Sequence, residues 1–359
     1  MKRKHLVYAV VFLVLVVLVY LQFRTWKNFD WALLLEYQLN WRHIFHAVAF
    51  IYIAYFLRAL RWKIFLRPVR KEASVWGLFA ATLIGFTGLA LLGRPGELSR
   101  PYLIARREKL TFASQIAVWS VERIFDVGGF TVLMVAAIFL PSKLQAFVAG
   151  APANVRHWIH LTGYSLIALV FGLLIAAMLM AYRGNLLAKW VEERFRHLAA
   201  NLGHRIAQRI REFTNGLNTI HGAVSFLLLS AVSVLMWWVI ALAYKEVTHA
   251  YGLSALALSA TQVLLLMGGS MIGSLVQLPG VGGGSQLATI SVLDHVFNVV
   301  PKELAVSCGI MIWLVTFVAV VPVGLFLAHR ERISLRKLSE ETEAAEETEP
   351  MESHPNAAS

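Results

Sequence analysis

The sequence predicts an all-α, polytopic helical membrane protein, with about six full spans and two broken or re-entrant helical elements in an inverted-topology repeat. Three observations predict it. The 359 residues are 58% hydrophobic and only 15% charged, which no ordinary soluble domain matches. The runs Leu6–Phe23, Ile44–Leu57, Trp158–Tyr182, Ala223–Tyr244, Leu253–Leu278 and Lys302–Ala328 are apolar all round, as membrane helices are; membrane strands would alternate. Pro-Gly breaks at Pro95-Gly96 and Pro279-Gly280 interrupt an element in each half of the chain.

The net charge of +12 conceals a split. Residues 340–359 carry seven glutamates and no Lys or Arg, leaving 14 acids against 33 basic residues in the body. In a membrane chain that excess belongs to cytoplasmic loops facing anionic lipid. Nucleic acid is not an expected partner, since no recognised binding module is present. Cys308 is the single cysteine, so no intramolecular disulfide framework exists. The histidines show no HExxH or Cys/His ligand spacing, and His43/His46 and His157/His160 read as interfacial side chains. Neither metal nor cofactor is expected. Residues 1–338 form the membrane domain, with halves at about 1–150 and 151–338, and 339–359 a disordered acidic tail.

In chain order, Lys2-Arg3-Lys4 precedes the eighteen-residue run Leu6–Phe23, which is long for a signal peptide and is followed by no small-residue cleavage site. It reads as an uncleaved first span starting in the cytoplasm. Trp26, Trp31, Tyr37 and Trp41 form an outer aromatic belt. The second span, from Ile44 to about Leu66, ends in Arg58, Arg61, Lys63, Arg67, Arg70 and Lys71, a strong inside signal. Ala73–Gly93 could cross outward, but would then put Arg100, Arg106, Arg107 and Lys109 outside. Gly85, Gly88, Gly93, Pro95, Gly96 and Pro101 allow it instead to enter, break and return, which is tolerated where protein or water surrounds the backbone.

Residues 111–140 form the third full span. Only fourteen uncharged residues, Val127 to Leu140, follow Asp126 before Pro141, about 21 Å of helix against a hydrocarbon layer about 30 Å thick. Crossing therefore draws Glu122, Arg123 and Asp126 to membrane depth. Each charge costs roughly 2.5 to 3.5 kcal/mol near a helix centre, so they must face protein or a wet cavity. Trp158–Tyr182 is the fourth span. Residues 183–222 repeat apolar side chains every three or four positions, as an amphipathic helix or helix pair bent near Gly203. The fifth span is Ala223–Tyr244. Leu253–Leu278, the break Pro279–Gly284 and Ser285–Val300 make the second broken element, with Ser285 placed as a helix N-cap. The last span ends at His329 beside Arg330, Arg332, Arg336 and Lys337.

Three groups are candidate sites. Around Arg94-Pro95-Gly96-Glu97, Arg94 and Arg100 would hold an anionic phosphate, while Glu97 would orient Arg or receive a cationic group; an internal ion-pair network is the plainer reading. Glu122 and Asp126 share a helix face with Arg123 one turn from Asp126. An Arg123–Asp126 pair, with Glu122 left for Arg94, Arg58 or Arg61, would neutralise the cluster. These carboxylates could also carry protons, although a static salt bridge explains the same residues. Pro279, Gly280, Gly282, Gly283, Gly284, Ser285 and Gln286 would present backbone N–H groups to an anion, or serve close packing.

Arg-Pro-Gly-Glu-Leu at 94–98, Glu-Arg-x-x-Asp at 122–126 and Leu-Pro-Gly with glycines at 278–284 resemble the lysylphosphatidylglycerol synthase transmembrane-region family over roughly residues 1–330. The resemblance implies a flippase-type membrane domain, with Arg94, Glu97, Glu122, Arg123 and Asp126 matching its first-half signature. Where many members carry Glu shortly after the glycines, this chain has Gln286, which argues against a cationic headgroup. The soluble aminoacyl-transferring domain of the synthases is not expected after Ala328, so the chain is read as a transporter and not an enzyme.

The expected function is a flippase or transporter moving an anionic lipid or lipid-linked headgroup between leaflets. The alternative is a membrane-embedded transferase acting on a lipid-linked phosphate or sugar; the chain lacks the Asp-x-Asp that metal-assisted glycosyl transfer usually wants. The expected partners are a phospholipid or other anionic amphiphile and the membrane, with a homodimer allowed. The expected location is a bacterial-type inner (plasma) membrane, both termini cytoplasmic.

Overall fold

The computed structural model describes residues 37–195, 207–208, 211, 222–274, 277–278 and 282–333. The first expected span, Leu6–Phe23, and the acidic tail lie outside them. The regular structure among the described residues is helical, apart from one two-residue ladder. In order they form α1 (Trp41–Leu66), α2 (Val75–Leu92), a 3-10 turn (Arg94–Leu98), α3 (Ser99–Glu108), α4 (Phe112–Phe139), α5 (Lys143–Gly150), α6 (Ala153–Phe195) and α7 (Gly222–His249). There follow α8 (Gln262–Gly273), β1 (Gln277–Leu278), β2 (Gly282–Gly283), α9 (Gly284–Ser291), a π turn (Val292–Val296), α10 (Lys302–Trp313), a second π turn (Leu314–Val318) and α11 (Val321–Arg330).

Among the described residues, four segments are long and apolar enough to cross a membrane: Trp41–Leu66, Val75–Leu92, Val224–His249 and Lys302–Arg330. A fifth is allowed if α4 and α5, bent by 56° at their junction, count as one span. The predicted run Trp158–Tyr182 lies inside α6, whose 43 residues cover roughly 64 Å, about twice the hydrocarbon thickness.

Contacts group the chain into two compact units, residues 52–240 with 320–359, and residues 1–51 with 241–319. In the first unit, α2 starts where the Ser74 side chain accepts a hydrogen bond from the Gly77 N–H, 3.3 Å away. It stops at Gly93, whose φ of +72° is a conformation glycine adopts without strain. Pro95 then sits in the first turn of the 3-10 segment. The chain does not go on as one rod: α3 turns back along α2. Arg107 Nη1 donates to the Gly77 carbonyl at 2.6 Å, and Gly85 lies against Arg100. At the tip, a Cβ on Gly96 would collide with the Gly88 backbone, so only glycine lets the two arms meet this closely. The expected broken element is a helical hairpin with both ends on one side.

Behind this hairpin, Trp62, Phe65, Leu66, Leu78, Ile84, Leu103, Ile104, Val121 and Phe125 form the core. α11 packs on α2, where Gly324 lies against Leu83 and Thr87. Gly129 allows α4 to approach Ser233 of α7, with a built Cβ only 3.0 Å from the Ser233 backbone. Beyond the fourth predicted span, α6 runs on unbroken through residues 183–195. Arg211 then returns a bidentate pair to Glu192, at 3.0 and 2.7 Å, and Ala207 packs on Ala188 and Val191. Most of the expected amphipathic helix or helix pair, residues 196–206, 209–210 and 212–221, lies outside the described residues.

In the second unit, α8 and α9 make a hairpin too. Gly273 lies against Gly284, and Gly269 against Val292. The tip is closed by antiparallel pairing of Gln277 with Gly283 and Leu278 with Gly282. One expectation is corrected here: Ser285 is not the N-cap. The ladder fixes Gly283 (φ +139°) as the cap residue without a side-chain cap, and the helix begins at Gly284, one residue before Ser285. Elsewhere in this unit His43 Nδ1 lies 2.6 Å and His46 Nδ1 3.5 Å from the same Glu246 oxygen. Tyr251 and Ser307 hydroxyls share a 2.7 Å hydrogen bond.

Candidate functional site

Three elements of the first unit supply a buried charge cluster. On α1, Arg58 and Arg61 are three residues apart and project from one face. On α4, Glu122 and Asp126 are four apart and share a face for the same reason. The hairpin brings Arg100 to them on α3.

Arg61 is the centre. Its Nη2 lies 2.5 Å from Glu122 Oε1 and 2.7 Å from Asp126 Oδ1, while its Nη1 donates to Ser233 Oγ at 2.9 Å. Arg100 forks onto Glu122, donating from Nη1 to Oε1 at 3.2 Å and from Nη2 to Oε2. Arg58 Nη1 reaches Asp126 Oδ2 at 3.5 Å. Arg123 Nη2 lies 3.1 Å from that oxygen and 3.5 Å from Glu122 Oε2. Glu122 and Arg61 are both 0% exposed. Forked guanidinium–carboxylate geometry makes such pairs strong where water is excluded, and it compensates part of the cost of removing the charges from water.

Aromatic faces wall the guanidiniums. Arg100 lies 4.4 Å from the Trp62 ring centroid and 5.5 Å from that of Phe86, Arg58 5.2 Å from Phe86, and Arg123 5.6 Å from Trp119. The Trp62 indole donates to Gln115 Oε1 at 3.0 Å, which fixes its plane.

The cluster opens at one end. The Arg123 side chain is 39% exposed, and Glu97 beside it, on the hairpin turn, is 35% exposed; Arg123 Nη1 lies 3.9 Å from Glu97 Oε1. Among the described side chains, four guanidiniums therefore meet two buried carboxylates and one half-exposed one.

Of the sequence candidates, Arg58, Arg61, Glu97, Arg100, Glu122, Arg123 and Asp126 converge here. The Arg123–Asp126 pair forms as expected, but Glu122 is held by Arg61 and Arg100 together, so Arg100 is engaged within the cluster. Gly96 contributes the tight tip. Arg94 and Pro95 belong to the turn, and their side chains lie outside the described residues. Pro279 and Gly280 lie outside the described residues as well. Gly282, Gly283, Gly284, Ser285 and Gln286 belong to the other unit, where pairing with Gln277 and Leu278 engages part of the glycine backbone. There Ser285, Gln286, Thr289, Ser270, Tyr244 and Thr316 line a small cleft with no charged wall. Tyr244 Oη donates to Ser270 Oγ at 3.3 Å across it.

Sequence reasoning missed Trp62, Gln115, Trp119 and Ser233. Trp237 is buried, with the Arg58 guanidinium 6.0 Å from its ring centroid. The one signal available was Trp62 directly following Arg61. Among the described residues no three His, Cys, Asp or Glu side chains form a metal-holding group.

The family model described as Lysylphosphatidylglycerol synthase TM region matches residues 7–324. No curated protein and no solved structure matches the chain.

Proposed function

Since the chain belongs to the lysylphosphatidylglycerol synthase TM region family, a membrane, lipid-related one, we propose that it is a flippase moving an anionic lipid or lipid-linked headgroup between leaflets. The observation that carries this reading is the surplus of guanidinium in the buried cluster. Arg58, Arg61, Arg100 and Arg123 outnumber Glu122 and Asp126, and half-exposed Glu97 does not close the gap. Uncompensated charge away from water costs several kcal/mol, so the cluster favours an incoming anion at its open end. A phosphate fits the donor geometry of Arg123, whose planar fork can hold two oxygens. The hairpin α2–α3 supports transport as well, because broken helices at a charged site are the usual substrate-binding device of transporters. With the basic loops inside, both termini face the cytoplasm of a bacterial-type inner membrane.

Proteoliposomes carrying a fluorescent phosphatidylglycerol, read by bleaching of the outer leaflet, test it. The reading expects the protected fraction to fall faster with protein than without, and Arg123→Gln to remove that effect. A protected fraction unchanged by the protein, for several anionic lipids, overturns it. Appearance of a chemically altered lipid would point to the transferase instead.

A further inference from the structure

We propose that Glu97 is a built-in counter-anion, a specificity-determining carboxylate that occupies the phosphate position at Arg123 and is displaced when substrate binds. The inference rests on the reading of the cluster as an anion site and assigns its entrance.

Four observations lead to it. Glu97 is the one carboxylate of the cluster carried by the hairpin turn instead of α4. Its contact with Arg123 is also the longest of the cluster's ion pairs, 3.9 Å against 2.5 to 3.5 Å for the pairs that Arg58, Arg61 and Arg123 make with Glu122 and Asp126. Both partners are more than a third exposed, so this is the pair that an entering group reaches and water already screens. Finally, Arg123 Nε is buried without an acceptor, so this guanidinium has donor capacity that Glu97, Glu122 and Asp126 leave unused.

Displacement also leaves the net charge of the cluster unchanged. With Glu97 counted, four guanidiniums face three carboxylates, an excess of one positive charge. A phosphodiester brings one negative charge, so it can enter while Glu97 swings toward water, and the buried pairs of Glu122 and Asp126 stay intact. A zwitterionic headgroup brings no net charge and offers no such exchange. The close contact of Gly96 with Gly88 keeps the turn fixed while the Glu97 side chain moves. The ligand class is a singly charged phosphodiester, carried by a lipid headgroup or by a soluble glycerophosphodiester.

The test uses the full chain in nanodiscs, with binding of phosphatidylglycerol, phosphatidylcholine and soluble glycerophosphoglycerol measured for wild type, Glu97→Gln, Glu97→Asp and Arg123→Gln. Glu97→Gln should tighten phosphatidylglycerol binding by about fivefold, the order set by losing one half-exposed competing ion pair. Phosphatidylcholine should not change, and Glu97→Asp, whose shorter arm reaches Arg123 less well, should shift binding the same way but less. A gain with the lipid alone makes the headgroup the source, and an equal gain with the soluble diester makes free phosphodiester the source; both support displacement. Weaker or unchanged binding in Glu97→Gln, with Arg123→Gln still impaired, overturns the counter-anion role and leaves the anion site standing. If Arg123→Gln binds phosphatidylglycerol as wild type does, the anion site itself fails.

Discussion

Arg100 lies over the face of Trp62, 4.4 Å from its ring centroid, while its nitrogens clamp Glu122. One side of the guanidinium is thus held by a ring and the other end by a carboxylate, and neither contact is between sequence neighbours. The Trp62 plane is set in turn by its hydrogen bond to Gln115, so three residues from two helices hold one charge in place.

Trp62 should therefore matter beyond its bulk. Trp62→Ala removes a large buried ring and should cost about 3 to 5 kcal/mol. Trp62→Phe keeps a face for Arg100 but loses the hydrogen bond to Gln115, leaving a buried acceptor without its donor, and should cost about 1 to 3 kcal/mol. Unfolding midpoints in detergent rank the three proteins; a Phe variant as damaged as the Ala variant would refute the stacking role.

Glu122 and Arg123 should separate stability from binding. Glu122→Gln leaves Arg100 buried without its counter-ion and Arg61 with Asp126 alone, and should cost about 3 to 5 kcal/mol. Arg123→Gln acts at the half-exposed end, should cost about 1 kcal/mol or less, and should still lose anionic-lipid binding. Denaturation and lipid binding on the same preparations read both; equal destabilisation by the two variants would contradict the burial difference.

The glycines at two helix positions should respond oppositely to alanine. A Cβ on Gly96 meets the Gly88 backbone, so Gly96→Ala should force the hairpin arms apart and cost about 1 to 3 kcal/mol. Gly128 has nothing within 4 Å of such a Cβ, and Gly128→Ala inside α4 should be neutral or stabilise by about 0.5 to 1 kcal/mol. Thermal unfolding of both variants checks this, and a harmless Gly96→Ala would refute the tight tip.

The return of α3 along α2 predicts sidedness. Single cysteines replacing Glu72 and Lys109, at the two ends of the hairpin, should both react with a membrane-impermeant maleimide added from the same side. The native Cys308 is buried, which keeps background low. Labelling from opposite sides would mean that residues 75–108 cross the membrane.

Much of the site was legible in the chain. Charge spacing on an apolar segment singled out Glu122, Arg123 and Asp126, and Pro-Gly breaks located the hairpin turn that carries Glu97. What stayed hidden was mostly the set of uncharged partners. Ser233 touches Arg61 across 172 positions, and nothing in its local sequence marks it, because a serine in an apolar helix reads as filler until a neighbouring helix presents a donor. The Ser285 cap was misplaced for a related reason: cap rules are local, while the start of α9 is fixed by the pairing of β2, just before it, with β1.

Composition and periodicity by themselves determined that this chain is a bundle of apolar helices, that its few intramembrane charges had to face inward, and where two of its elements break. Those conclusions follow from the cost of charge and unpaired backbone in hydrocarbon, which acts on each segment separately. The tertiary structure alone decided that Arg61 and Arg100 share Glu122, that aromatic rings wall the guanidiniums, and that Arg123 and Glu97 stand at the open end. Ion-pair partners are chosen by the register in which helices pack, and that register depends on close approaches such as Gly96 to Gly88 and Gly129 to Ser233, which no along-chain pattern encodes.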